Sequence, residues 1–262
     1  MQKLLLSLVL CCLSVTAAFA AVQGREVSYR AGGTTMKGWI AYDDAIKGKR
    51  PAVLVVHEWW GHNAYARKRA NMLAELGYVA LAVDMYGDGR QAQHPDDAGK
   101  FAAEVSQNKP MAKARFEAAM NVLRRQRRVD AHRLAAIGYC FGGSVALNMA
   151  RAGENLKGVA SFHGGLATDV PAQAGTVKAK VLSFTGADDK MIPAAQVAAF
   201  EQEMRNAGVN YRTVVYPGTM HSFTNPEADE YGRKFNLPLA YNAEADRDSW
   251  AQLQTFLADV LK

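Results

Sequence analysis

Apolar residues recur along the chain in runs of six to eight, separated by longer segments with helical periodicity. The runs are rich in Val, Leu, Ile and Ala and show no regular polar alternation, which favours strands buried on both faces of a parallel sheet. Strands that alternate with helices in this way predict an α/β fold. The predicted strands cover residues 51–57, 78–84, 134–139, 158–163, 180–186 and 211–218, and the predicted helices cover residues 64–76, 111–126, 143–152, 194–207 and 243–261.

The segment before these runs has a different pattern. Residues 26–42 alternate between the two faces of a strand around the pair Gly32-Gly33. Such a pattern is typical of an antiparallel hairpin with a tight turn. The predicted architecture is therefore a three-layer α/β sandwich with a mostly parallel central sheet and an antiparallel N-terminal hairpin at its edge.

The first twenty residues resemble an export signal. Lys3 supplies an early positive charge, residues 4–13 are apolar, and small residues end at Ala20. This order predicts a secretory signal cleaved after Ala20, which would leave residues 21–262 as one domain in the periplasm or outside the cell. An uncleaved membrane anchor is the alternative, but its apolar run would be shorter than the roughly twenty residues that span a bilayer.

Cleavage would leave one cysteine in the mature chain. Of the three cysteines, Cys11 and Cys12 lie in the predicted signal and Cys140 lies in the predicted domain. Lipid attachment at Cys11 or Cys12 is a further alternative, but the preceding residues 8–10 are Leu-Val-Leu and not small. In an oxidising compartment an unpaired cysteine is either buried and inert or retained for its reactivity.

Composition and charge exclude some classes of partner. The chain has 262 residues, of which 49% are hydrophobic and 21% charged, and this is enough for one large core. The net charge of +6 is not clustered. The densest basic run, residues 124–128, is interpreted as a solvated helix end, where cations oppose the C-terminal dipole. We therefore expect a monomer that acts on a small molecule, without nucleic acid and without stable membrane association after cleavage.

The candidate chemistry begins with Cys140, which lies in Gly138-Tyr139-Cys140-Phe141-Gly142, between a predicted strand and a helix that starts with small residues. The pattern G-x-S-x-G in this setting is the nucleophile elbow, a tight turn that exposes the nucleophile. A thiolate at a helix N-terminus is also stabilised by the helix dipole. The sequence therefore predicts Cys140 as a nucleophile, and a bulky residue at Gly138 or Gly142 should be poorly tolerated.

An acid and a histidine follow Cys140 in chain order. Asp188 and Asp189 come after the last but one predicted strand, and His221 comes after the last. The order nucleophile, acid, histidine is that of α/β-hydrolases. His221 would take or share the thiol proton, and a carboxylate would orient the imidazole. Asp189 is preferred because the helix start at Ile192-Pro193 follows it closely, and Asp188 stays open as the alternative.

The remaining histidines are assigned other roles. His57 and His163 each end an apolar strand, and a structural or supporting role is preferred for both. His57 and His62 are five residues apart, whereas two metal ligands on one helical face are four apart, so no metal site is expected. His94 and His132 lie among polar residues and are expected to face solvent.

Five stretches together resemble the dienelactone hydrolase family over essentially the whole predicted mature chain. The resemblance implies an α/β-hydrolase sandwich, a Cys-His-Asp triad, no metal or organic cofactor, and hydrolysis of an ester or lactone through an acyl-thioester. It also implies that Glu58 contacts the resting thiol and helps to form the thiolate when substrate arrives. The stretches are His57-Glu58-Trp59-Trp60-Gly61, Asp84-Met85-Tyr86-Gly87, the Gly138–Gly143 elbow, the acid loop at 186–193 and His221-Ser222-Phe223.

The same stretches indicate an oxyanion hole and substrate contacts. The expected donors are the backbone N–H groups of Phe141 and Trp59. Trp60 and Tyr86 are candidate substrate contacts. Two adjacent tryptophans do not easily face the same way, so one of Trp59 and Trp60 is expected to line the site.

The sequence departs from the family where the substrate is recognised. The family holds a substrate carboxylate with two arginines, and the matching positions here are Asp88 and Asn225. Arg90 is a candidate replacement for the first, and Asn225 stands at the second substrate position. A bidentate clamp on a carboxylate is not expected without both arginines.

The resulting hypothesis is a cysteine-dependent hydrolase of small esters, lactones or thioesters. The alternative is a noncatalytic exported protein that binds a ligand or senses oxidation through its thiol. An exposed thiol of low pKa is liable to oxidation outside the cell, which motivates that alternative.

Overall fold

The buried apolar runs form the centre of an eight-stranded sheet in the computed structural model, which describes residues 22–262. The predicted export signal at residues 1–20 lies outside the described residues. The strands are β1 (Val22–Ala31), β2 (Thr34–Asp43), β3 (Arg50–Val56), β4 (Val79–Val83), β5 (Val129–Tyr139), β6 (Gly158–Phe162), β7 (Lys180–Gly186) and β8 (Tyr211–Tyr216). The helices are α1 (Ala64–Glu75), α2 (Pro95–Ser106), α3 (Lys109–Arg124), α4 (Phe141–Arg151), α5 (Ala194–Asn206), α6 (Ala228–Phe235) and α7 (Ala243–Val260).

The strand order in the sheet is β1-β2-β4-β3-β5-β6-β7-β8. β1 pairs antiparallel with β2, and β2 pairs antiparallel with β4. All other neighbouring strands are parallel. The N-terminal hairpin at the sheet edge and the mostly parallel sheet are therefore confirmed.

Alternate residues of the central strands pack against helices on opposite faces. In β3, Leu54 and Val56 join the core formed with α3, α4 and α5, whereas Val53 and Val55 join the core formed with α1 and α7. All four side chains have no exposed surface. Burial on both faces explains why these strands appear in the sequence as continuous apolar runs.

Two helices are not predicted by the sequence pattern. In α2, His94 caps the helix by accepting a hydrogen bond from the N–H of Asp96, and Pro95 occupies the first turn. These residues also occur in loops, and only two side chains of α2 are buried. α6 is eight residues long and ends at Asn236 in the left-handed conformation. Both helices nevertheless carry a short apolar face, formed by Ala98, Phe101, Ala102 and Val105 in α2 and by Tyr231 and Phe235 in α6, and the sequence analysis missed it.

The fold brings the candidate residues to one edge of the sheet. Parallel strands have their carboxyl ends at the same edge, and ligands bind there in open α/β sheets. The loops after β3, β5, β6, β7 and β8 start there, and they carry Glu58, Cys140, His163, Asp189 and His221 respectively.

Candidate active site

Cys140 lies on a strained turn between β5 and α4. It caps α4 with φ of 50° and ψ of −118°, a backbone conformation that residues with a Cβ rarely adopt. Its N–H donates to the carbonyl of Phe162 at 2.9 Å and lies 3.1 Å from Nδ1 of His163. The turn is tight enough that a Cβ on Gly138 would lie 2.0 Å from the carbonyl oxygen of Gly142.

We expect Gly138→Ala to lower the free energy of unfolding by about 3 kcal/mol, since the added methyl overlaps backbone that cannot move away cheaply. Urea unfolding measures the loss. The matched control is Gly99→Ala, because Gly99 lies in α2 and a Cβ added there would have no neighbour within 4 Å. That control should gain up to about 1 kcal/mol from helix propensity. Equal stability of Gly138→Ala and the wild type would contradict the tight turn.

The imidazole of His221 connects the thiol to a carboxylate. Its Nε2 lies 3.1 Å from Sγ of Cys140, and its Nδ1 lies 2.7 Å from Oδ2 of Asp189. The other oxygen of Asp189 accepts a hydrogen bond from the N–H of Met191 at 2.8 Å, which orients the carboxylate. Asp188 is exposed to solvent. The geometry therefore brings Asp189, and not Asp188, to His221.

The surroundings of His221 favour its charged form. Burial disfavours the imidazolium, but the sulfur of Cys140 and the hydrogen bond with Asp189 outweigh burial and raise the pKa of His221 to about 10. An imidazolium at 3.1 Å stabilises a thiolate at Cys140 by charge and by hydrogen bonding. The arrangement can thus hold a thiolate ready for attack on an electrophilic carbon.

Glu58 is buried beside this pair of residues. Its side chain is 2% exposed, and Oε2 accepts a hydrogen bond from Nδ2 of Asn225 at 2.7 Å. Its other oxygen, Oε1, has no hydrogen-bond partner. Burial raises the pKa of the Glu58 carboxyl, against the opposing effects of Asn225 and of the charge on His221. In this structure Asn225 holds the Glu58 carboxylate, and the thiol is hydrogen-bonded to His221.

We expect Glu58→Gln to stabilise the protein more at pH 8 than at pH 5. Because the folded pKa is raised, the folded wild type holds the proton more tightly than the unfolded chain, whose pKa is about 4.5. The free energy of unfolding of the wild type therefore falls as the pH rises above the pKa of the unfolded carboxyl, whereas glutamine does not titrate. Melting temperatures at both pH values measure the difference. Glu75→Gln, at an exposed position of α1, is the control and should show no pH-dependent gap.

A cavity of about 250 Å³ lies over Cys140. Trp59 lines it and is half-buried, whereas Trp60 is 3% exposed and stacks on Tyr231 with ring centroids 4.6 Å apart. One of the two adjacent tryptophans thus lines the site, as expected. The full lining consists of Trp59, Ala102, Cys140, Phe141, Ser144, Gly165, Met191, Ile192, His221 and Leu239.

Tyr86 and Arg90 lie behind the cavity wall. Tyr86 is fully buried, and its hydroxyl donates to the carbonyl of Trp59 at 2.9 Å. Arg90 donates from Nε to the carbonyl of Tyr86 at 3.2 Å, forms an ion pair with Glu104 and covers the ring of Phe101. The structure therefore brings neither of these candidate substrate contacts, nor Trp60, to the cavity over Cys140. The Tyr86 hydroxyl instead holds the carbonyl of Trp59.

The expected oxyanion donors flank the thiol. Phe141 is the first residue of α4, so its N–H has no partner within the helix. Trp59 belongs to the loop after β3, and its carbonyl accepts a hydrogen bond from the Tyr86 hydroxyl, which holds this loop in place. Both residues line the cavity with Cys140. Their N–H groups can serve an oxygen bound above the sulfur.

His57 and His163 have supporting positions, as preferred from the sequence. Nδ1 of His57 lies 2.6 Å from the carbonyl oxygen of Glu58, and its Nε2 accepts a hydrogen bond from the N–H of Met85 at 3.2 Å. Nε2 of His163 lies 2.8 Å from Oγ1 of Thr224. Both rings are fully buried and connect loops at the carboxyl edge of the sheet. Thr224 is not predicted by the sequence, although its place three residues after His221 is a usable signal.

Two kinds of feature are absent from the described part of the chain. Within residues 22–262, no three His, Cys, Asp or Glu side chains are grouped so that they could hold a metal ion. Over the same range, no helix combines the length and the apolar character needed to cross a membrane.

A cysteine on a strained strand-to-helix turn, followed by an acid after β7 and a histidine after β8, belongs to the α/β-hydrolase class of proteins. The model of the dienelactone hydrolase family matches residues 36–261. The chain belongs to the dienelactone hydrolase family and is a hydrolase that acts on ester or lactone bonds.

The relatives cover nearly the whole described chain. A crystal structure of a dienelactone hydrolase-like promiscuous phosphotriesterase from metagenomic libraries has a TM-score of 0.87 and 33% identity, over 92% of this chain and 100% of its own. A protein of Aquifex aeolicus (strain VF5), provisionally named a carboxymethylenebutenolidase, is 26% identical over 91% of this chain and 100% of its own. Protein usf of Aquifex pyrophilus is 25% identical over 91% of this chain and 99% of its own.

Proposed function

We propose that the chain hydrolyses small uncharged carboxylic esters, lactones or thioesters by transferring the acyl group to Cys140. One observation carries the proposal, namely the line of contacts from Sγ of Cys140 through His221 to Asp189 beneath an apolar cavity. Each distance is within hydrogen-bonding range for a nucleophile, its base and the group that orients the base.

Acylation proceeds by attack of the Cys140 thiolate on the carbonyl carbon, which moves the π electron pair onto the oxygen. The N–H groups of Phe141 and Trp59 stabilise this oxyanion. Its collapse re-forms the carbonyl and breaks the bond to the alkoxy group, which takes the proton from Nε2 of His221 and leaves as the alcohol. An acyl-thioester and a neutral His221 remain.

Deacylation uses the same groups. A water molecule attacks the thioester carbonyl and gives its proton to Nε2 of His221. The second tetrahedral intermediate collapses, breaks the carbon–sulfur bond and releases the carboxylic acid together with the Cys140 thiolate. Asp189 accepts a hydrogen bond from Nδ1 of His221 and stabilises the imidazolium. The family resemblance gives Glu58 a part in forming the thiolate, but Asn225 holds its carboxylate here, so Glu58 would have to turn towards Cys140 to take the thiol proton.

Uncharged substrates are preferred on electrostatic grounds. Among the described residues that line the cavity over Cys140, His221 is the single basic side chain. Asp88 and Asn225 occupy the two positions at which the family carries arginine, and Asn225 is 1% exposed and bonded to Glu58. A substrate carboxylate would therefore lose its hydration and find only His221, whose charge is already paired with Cys140 and Asp189.

We expect the wild type to prefer dimethyl succinate to monomethyl succinate by at least tenfold in kcat/KM. Met191→Arg should narrow this gap about ten- to a hundredfold, because Met191 lies on the cavity with 45% of its side chain exposed and can present a guanidinium to the carboxylate. Met191→Leu is the control for the loss of methionine. A wild type that prefers the half-ester would contradict the proposed selectivity.

The general test is a panel of short p-nitrophenyl esters, lactones and acyl thioesters, combined with intact-mass detection of an acyl group on the protein. Turnover together with an acylated intermediate supports the proposal. A folded protein that turns over no member of the panel would favour the noncatalytic alternative, in which the thiol binds a ligand or senses oxidation.

A further inference from the structure

A second and larger cavity lies next to the site. Its volume is about 390 Å³, and it is bounded by α4, α3, the end of α2 and the loop after β6. Apolar side chains form much of its wall, including Val105, Ala112, Val145 and Met149. Ser144 lines both this cavity and the one over Cys140. Ser144, one helical turn after Cys140, is therefore common to the walls of both cavities.

We propose that this second cavity, the α3–α4 cavity, binds the hydrocarbon chain of the acyl group in substrates longer than the small esters considered above. The inference rests on the proposed function and deepens it. It assigns the protein to medium-chain neutral esters, with the carbonyl at Cys140 and the acyl chain running past Ser144.

The direction of the cavity follows from α4. Ser144, Asn148 and Ala152 line it and are spaced four residues apart, so they lie along one face of the helix that begins after Cys140. At 1.5 Å per residue, Ser144 and Ala152 are about 12 Å apart along the helix. The α3–α4 cavity thus extends away from the sulfur, and an extended chain attached at the thioester carbonyl can enter it.

The charges around the cavity favour an uncharged occupant. Each of its three basic side chains already faces a carboxylate. An anionic chain end would have to compete with these pairs, whereas a hydrocarbon gains from covering the apolar wall. The ion pairs are Lys109 with Asp169, Lys113 with Glu154, and Arg151 with Glu203.

The position of His221 determines which part of the ester lies in each cavity. The leaving alkoxy group must lie within hydrogen-bond reach of Nε2 of His221 to receive its proton. His221 lines the cavity over Cys140 and does not line the α3–α4 cavity. The alcohol therefore lies on the His221 side, and the acyl chain lies on the Ser144 side.

The first test varies the acyl chain with a constant leaving group. For p-nitrophenyl esters from acetate to decanoate, kcat/KM should rise by at least fiftyfold, since each buried methylene contributes up to about fourfold. The isomers ethyl octanoate and octyl acetate then distinguish the two sides of the ester. We expect ethyl octanoate to be preferred at least tenfold, and a preference for octyl acetate would overturn the assignment of the cavity to the acyl chain.

The second test fills the cavity. Asn148 is half-buried midway along it and accepts a hydrogen bond from Arg151 at 3.0 Å. Asn148→Phe should lower the decanoate to acetate ratio of kcat/KM at least tenfold. Asn148→Ala removes the same hydrogen bond without adding bulk and should not lower the ratio. The ratio reports chain binding separately from folding, because both substrates are measured on the same protein.

The outcomes separate the two proposals. Hydrolysis of acetate with no increase along the series, or an unchanged ratio in Asn148→Phe, overturns the acyl-chain assignment and leaves the proposed function standing. A folded protein that hydrolyses no ester in the series overturns the proposed function, and this inference with it.

Discussion

Cys140→Ala is expected to lower kcat/KM for p-nitrophenyl acetate by at least a thousandfold, because the acyl group then has no nucleophile to which it can be transferred. Folding should be retained, since alanine carries the same Cβ into the strained turn at φ of 50°. Initial rates and melting temperature measure the two effects. Cys140 is the free cysteine of residues 22–262, so iodoacetamide should label this range in the wild type and not in the variant.

A Cys140→Ala protein with the turnover of the wild type would remove Cys140 from the mechanism. Such an outcome would leave the hydrolase fold in place and would require a different nucleophile in the same cavity. Ser144 is the nearby hydroxyl that lines this cavity, so the double variant with Ser144→Ala would identify it.

His221→Ala is expected to lower kcat/KM by about a thousandfold or more, in line with the loss of the base in other triads. The loss arises because the thiolate is no longer stabilised by an imidazolium and the leaving group has no proton donor. The same ester assay measures it. His132→Ala is the matched control, because His132 is exposed and lies near the start of β5, at the end of that strand away from Cys140.

A loss smaller than tenfold in His221→Ala would transfer the role of base to another histidine. His57 and His163 are poor replacements, because each is fully buried and each ring nitrogen already has a polar partner. Burial also lowers the pKa of both imidazoles, which disfavours the imidazolium that His221 provides.

Local pattern was sufficient for the elements that carry the site. β3 and the end of β5 are continuous apolar runs because both of their faces are buried, and this signal is contained in a few consecutive residues. α2 and α6 were missed, because their apolar faces are short and capping residues such as His94 occur in loops as well. Helix stability there comes from packing on neighbouring segments, which periodicity does not record.

The contacts of polar side chains depended on distant parts of the chain. Arg90 was a candidate for binding a carboxylate, but Glu104 and the carbonyl of Tyr86 occupy its guanidinium. Asn225 was a candidate substrate contact, but it is buried and bonded to Glu58. A side chain with several donors binds the partner that folding brings nearest, and that partner often lies far along the chain, so the neighbouring residues do not predict it.

The sequence by itself determined the chain order of Cys140, an acid at Asp188 or Asp189, and His221, and their places after three strands; only the structure chose Asp189. The sequence determined this order because a buried parallel strand and the turn after it are local features, and parallel strands end at one edge of the sheet. The tertiary structure alone decided that Trp59 and not Trp60 faces the thiol, and that a cavity opens beside Ser144. Those features depend on how loops and helices remote in sequence pack together, and long-range packing leaves no periodic signal along the chain.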